Sequence, residues 1–89
     1  MVKGVTASGF NYEIDPDVVR DMEIIELIAE TAEDGSKMPK MLTAMLGKDQ
    51  KTALYDHVRN DKGRVLFEDV NREMEEILGA LAKNDSTKN

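Results

Sequence analysis

The most regular apolar spacing in the chain lies near its C-terminus. Phe67, Val70, Met74, Ile77, Leu78 and Leu81 fall within an arc of about 100° at 3.6 residues per turn. That spacing predicts a helix from about Phe67 to Lys83, with Glu68 and Asp69 in the first turn, where the helix dipole favours acids. A second long pattern starts at Asp15-Pro16, a capping acid followed by a proline that suits the first helical position. It predicts one helix running to about Asp34 and stopping at Gly35. Its inward face is expected to hold Val18, Met22, Ile25, Ile28, Ala29 and Ala32, widened by Ile24 and Leu27. Two shorter helices lie between: Pro39 to Leu46, closed by Gly47, and Asp49 to about Arg59, with Leu54 and Val58 inward. Upstream, Phe10, Tyr12 and Ile14 alternate with Asn11 and Glu13, the period of a short strand or of an extended arm tucked against helices.

Together these elements predict an all-α fold, a small bundle of about four helices with a short extended N-terminal arm. Residues 1–9 read as a flexible leader, 10–83 as a single helical domain and 84–89 as a flexible tail. With 40% hydrophobic but only 4% aromatic residues, the core has to be built from aliphatic side chains and methionine. No apolar run reaches the ~18 residues that span a membrane, and the first residues lack the apolar stretch of a signal peptide. The absence of cysteine removes disulfides and thiolate metal sites and fits a cytoplasmic location.

Charge changes the picture more than composition does. The net charge is −6, which repels a phosphate backbone and argues against nucleic acid as a partner. The charge is also segmented: residues 13–34 carry nine acids against Arg20 alone, whereas residues 37–64 carry seven Lys or Arg against three acids. Glu23, Glu26, Glu30 and Glu33 follow a 3-4-3 spacing and form one acidic stripe, a candidate surface for a basic partner as well as an ordinary solvated face. Met38, Met41 and Met45 share one face of the short second helix. They are candidates for a soft docking surface or for filling a core short of aromatics.

The stretch NDKGRVLFED, residues 60–69, has the glycine, β-branched residue and acid of half a calcium loop. Aligned on Gly63, the first ligand position falls on Val58 and the fifth on Lys62, so the oxygen set a hard cation needs is missing. The stretch therefore reads as a helix–turn–helix connection in which Gly63 supplies positive φ. His57 is the only histidine, and nothing in the spacing of Ser8, Ser36 or Ser86 brings one of them to it. Ser36 sits in GSKMP, without the Asp-Ser-Leu context of acyl carrier proteins. No catalytic, cofactor or metal residue is assigned.

Three segments, read in order, carry a resemblance. GFNYEIDPDVVRDMEIIELIAE pairs an aromatic-rich opening and Ile-Asp-Pro with an acidic helix. MPKMLTAMLGKDQKTALYDHVRNDKGRV ends a helix at an Asp-x-Gly-Arg-Val turn, and FEDVNREMEEILGAL supplies a closing helix. Over residues 9–82 the chain resembles the small tail assembly chaperones of long-tailed, non-contractile bacteriophages of Gram-positive hosts. The resemblance implies a non-enzymatic protein of the bacterial host cytoplasm that binds the tape measure protein and helps tail tube protein polymerise around it. It also implies, in many such phages, a longer form made by frameshifting near the C-terminus, for which the tail KNDSTKN is a suitable junction. Leu66 departs from the pattern, since a capping Ser, Thr or Asp is expected before Phe67. The alternative is a small acidic regulator, an antitoxin or DNA mimic, whose glutamate stripe engages a basic partner. A homo-oligomer is compatible with either.

Overall fold

The computed structural model describes residues 1–86, with side chains described as far as Lys83. Strand β1 (Val2–Val5) pairs antiparallel with β2 (Asn11–Ile14). A 3₁₀ turn at Pro16–Arg20 leads to α1 (Met22–Glu33), and a second at Gly35–Lys37 leads to α2 (Met38–Leu46). Helices α3 (Lys48–Val58) and α4 (Phe67–Ser86) complete the chain. The protein is mostly α-helical, with a two-stranded sheet in addition, and no helix among the described residues is long and apolar enough to cross a membrane.

The expected flexible leader is therefore corrected: residues 2–5 form a strand. Its pattern VKGV is too weakly apolar to announce one, and the strand is specified by what it meets. The register sets Gly4 opposite Tyr12, whose ring lies where any Cβ on residue 4 would be, so the close approach requires glycine. The turn closes through Thr6, whose N–H donates to the Phe10 carbonyl at 2.9 Å and whose Oγ1 accepts the Phe10 N–H at 3.1 Å. Phe10, Tyr12 and Ile14 then point into the core. The free side of β2 is occupied by a side chain. Gln50 of α3 accepts the Glu13 N–H through Oε1 and donates through Nε2 to the Glu13 carbonyl, both at 2.7 Å, which caps an edge that would otherwise be unpaired.

The single helix expected from residue 15 to 34 is two elements. Asp15 caps the 3₁₀ turn through the Asp17 N–H, and Asp21 caps α1 through the Glu23 and Ile24 N–H groups. A short acid at each start satisfies orphan donors, and Asp21 takes extended dihedrals that end the first piece. The break also changes which face turns inward. Leu27 and Thr31 are buried and Ile24 and Ile28 half-buried, whereas Met22 is 67% and Ile25 39% exposed. Apolar residues cover well over half of the α1 circumference, more than one interface can bury, so periodicity alone cannot choose the inward side.

The later helices keep close to their expected bounds. Gly47 separates α2 from α3, and Gly63, at φ 82°, turns the chain toward α4. Asn60 organises that turn: its Oδ1 accepts the N–H groups of Lys62 and Arg64, both at 3.0 Å. The Leu66 carbonyl receives the first α4 N–H groups, from Asp69 and Val70, so Leu66 stands at the cap without a side-chain acceptor. Backbone α4 continues through Ser86, three residues past the expected end, and residues 87–89 of the expected flexible tail lie outside the described residues. The innermost side chains, Ile14, Leu42, Leu54, Met74, Ile77 and Leu81, come from β2 and from three helices and join in one core.

Asp34, between α1 and α2, accepts from the Ser36 hydroxyl at 2.7 Å and from the Ser36 N–H at 3.0 Å. These bonds, the hydroxyl first, hold its carboxyl below the ordinary aspartate value. A carboxylate with a depressed folded pKa adds stability above its unfolded pKa and loses it as pH falls through the folded value. Ser36→Ala should therefore lose less stability than the parent between about pH 5 and about pH 2, read from urea midpoints at the two pH values.

Candidate functional site

The fold brings together a polar cluster that spacing did not reveal. The hairpin tip places Thr6 and Ser8 over α4, where the side chain of Glu73 is only 1% exposed. Thr6 Oγ1 donates to Glu73 Oε1 at 2.7 Å, and Ser8 Oγ donates to Oε2 at 2.9 Å. The Ala7 N–H donates to Glu76 Oε2, one turn further along α4, at 2.7 Å. From α3, His57 Nε2 lies 2.9 Å from Ser8 Oγ, and its ring centroid lies 5.6 Å from that of Phe10. The expectation that no serine meets His57 is thus corrected. A pleated hairpin, rather than a loose leader, carries Ser8 across to α3.

The position of the acid distinguishes this cluster. Ser8 Oγ sits between Glu73 Oε2 and His57 Nε2, and which partner donates in the Ser8–His57 bond follows the tautomer of the ring. In a nucleophile–base pair the histidine would receive the serine proton, with the acid holding the far side of the ring. Here the acid holds the serine. Every buried side-chain polar atom among the described residues has a partner. The cluster ties the hairpin to α3 and α4.

The three methionines of α2 are brought together, but inward. Met38, Met41 and Met45 are 4%, 3% and 4% exposed and belong to the core, so of the two readings of this face the burial fits core filling and not an exposed docking surface. An aliphatic core with few aromatics draws on flexible thioethers to fill its gaps. The glutamates stay outside: Glu23, Glu26, Glu30 and Glu33 are all exposed along α1, and Glu30 lies 3.9 Å from Lys37. Beside Glu23, Glu26 and Glu30 a shallow cleft of about 380 Å³ runs toward Lys40 and Ala44. Among the described residues, no group of three or more His, Asp or Glu is placed to hold a metal ion.

The uncovered apolar surface lies elsewhere. Phe67, expected in the core, is 50% exposed and Leu66 is 37% exposed. The Phe67 ring lies over Gly35 and borders a cavity of about 300 Å³ with Pro39, Tyr55 and Val65. Met38 lines this cavity and also a second opening of about 160 Å³ between α1 and α4. Sequence reasoning placed Phe67 on the correct helix face. It missed that the first turn of α4 projects past the neighbours that cover Val70 and Met74. No family model matches the chain, and neither a curated protein nor a solved structure matches it.

Proposed function

We propose that this protein is a non-catalytic assembly factor that holds another protein, a tail assembly chaperone that binds the tape measure protein and assists polymerisation of the tail tube around it. One observation carries the reading: the small core leaves exposed Phe67 and half-buried Tyr55 around one cavity, with exposed Leu66 next to Phe67 in the chain. Exposed apolar patches of this kind mark interaction sites. The patch lies where α2 and α3 meet α4, which is where the second and third resembling segments meet. The polar cluster at Ser8 supports the same reading, because its carboxylate, Glu73, is engaged by the hairpin hydroxyls and not by the His57 ring. Co-expression with the cognate tape measure protein, followed by capture of the chain, tests it. Co-purification is expected, and failure to bind by this chain and by any extended form overturns it.

The acidic regulator stands as a second reading on the exposed stripe Glu23, Glu26, Glu30 and Glu33 beside its cleft. A regulator of that kind binds a basic partner with affinity that collapses between about 0.1 M and about 1 M salt. A client held chiefly through apolar contact does not.

A further inference from the structure

We infer that the trough between α1 and α4 is the docking site for an amphipathic helix of a partner protein, one whose apolar face is flanked by Lys or Arg. The inference rests on the client-binding reading and adds to the Phe67 patch a second surface with its own chemistry. The close helix pairs of the fold are α1 with α2, α2 with α3 and α3 with α4, so α1 and α4 leave space between them. Ile28 and Ala32 wall that space on one side and Asn71 and Leu78 on the other, over a floor that includes Met41 and Met74. From Asn71 to Leu78 the trough is about 10 Å long, two helical turns, which suits apolar anchors at i, i+4 and i+7. Thioether floors adapt to varied apolar side chains.

The trough does not end at its wall. Beyond Ala32, the outward stripe of Ala29, Ile25 and Met22 continues the apolar surface across about 80° of α1, and all three residues are exposed. Immediately past that stripe come Glu33 and Glu26, within about 40° of Met22 round the helix. On the α4 side the bordering residue is Glu75. An apolar strip with carboxylates on both banks complements a helix with an apolar face and basic flanks. A second copy of the chain is disfavoured at this face, because a two-fold contact would set the acidic banks of one copy, Glu26, Glu33 and Glu75, against the acidic banks of the other.

The test uses the full-length protein and two fluorescent helical peptides of about 18 residues with the same Leu/Ala face, one flanked by Lys and one by Glu. Anisotropy titrations at low salt should show the Lys-flanked peptide binding at least about tenfold more tightly. Ala32→Glu, a change at an exposed position, should abolish binding while leaving the circular dichroism spectrum unchanged. The double variant Glu26→Lys, Glu33→Lys should reverse the peptide preference. The double variant Glu23→Lys, Glu30→Lys carries the same charge change on the far side of α1 and should keep it. Equal affinity for both peptides, equal loss in the two double variants, or a free protein that dimerises through this face would each overturn the inference. Trough binding without capture of the tape measure protein would sink the chaperone reading and leave the trough standing. Capture that survives Ala32→Glu would do the reverse.

Discussion

Replacing Glu73 by alanine should lower the unfolding free energy by about 3 kcal/mol, read from urea denaturation. Two hydroxyls of the hairpin tip donate to this one carboxylate, at 2.7 and 2.9 Å, in a site with almost no water. Hydrogen bonds to a charged acceptor contribute about 1.5–3 kcal/mol each, and Thr6, itself only 4% exposed, would keep a buried hydroxyl with only the longer 3.2 Å contact to Ser8 Oγ. Glu73→Gln retains the shape and one acceptor oxygen but turns amide N–H groups toward a donor, so a loss of about 1–2 kcal/mol is expected. The damage should also be local. Amide exchange in residues 2–14 should speed up more than in α2, because the hairpin loses its tie to α4. A loss below about 1 kcal/mol, or uniform exchange across the chain, would mean that Glu73 does not hold the hairpin.

Met41→Asp is expected to leave no folded population near neutral pH. The side chain is 3% exposed and lies in the core with Met38, Met45 and Leu42. A carboxylate placed there without partners costs several kcal/mol, comparable with the about 5–15 kcal/mol that holds a whole domain together. Met41→Leu keeps the volume and the apolar character and should cost less than about 1.5 kcal/mol. The pair separates a packing role from a surface role, since a surface methionine would tolerate aspartate. A folded Met41→Asp protein by circular dichroism and thermal melting would contradict the burial described here.

Particular residues show what the sequence could and could not reveal. Helices α2 to α4 were legible because their stops are chemical, Gly47 and the Asn60–Gly63 turn, and because each bears one narrow apolar stripe. Helix α1 was legible as a helix but not in its orientation, since its apolar surface exceeds any single interface. Asp21 also resets the chain directly after Pro16–Arg20. The hairpin was half legible: β2 alternates, whereas β1 has no pattern and exists because Gly4 admits the Tyr12 ring.

The candidate sites divide along the same line. The glutamate stripe is where its 3-4-3 spacing put it, on the solvent side of α1. The methionine face was correctly gathered on one side of α2, but spacing cannot say whether a stripe meets solvent or a neighbour. Glu73 was out of reach, because its donors stand 67 and 65 residues upstream and no local periodicity links them. The α1–α4 trough was equally invisible. It depends on how far apart two helices sit, and separation is a property of packing, not of either helix.

Hydrogen–deuterium exchange on the purified chain, with and without the tape measure protein, tests the central claim most directly. Slowed exchange in α1 (Met22–Glu33), in α4 from Phe67 to about residue 82 and around Tyr55 of α3 is the predicted result. Exchange that is unaltered everywhere, or protection confined to the hairpin of residues 2–14, would contradict it.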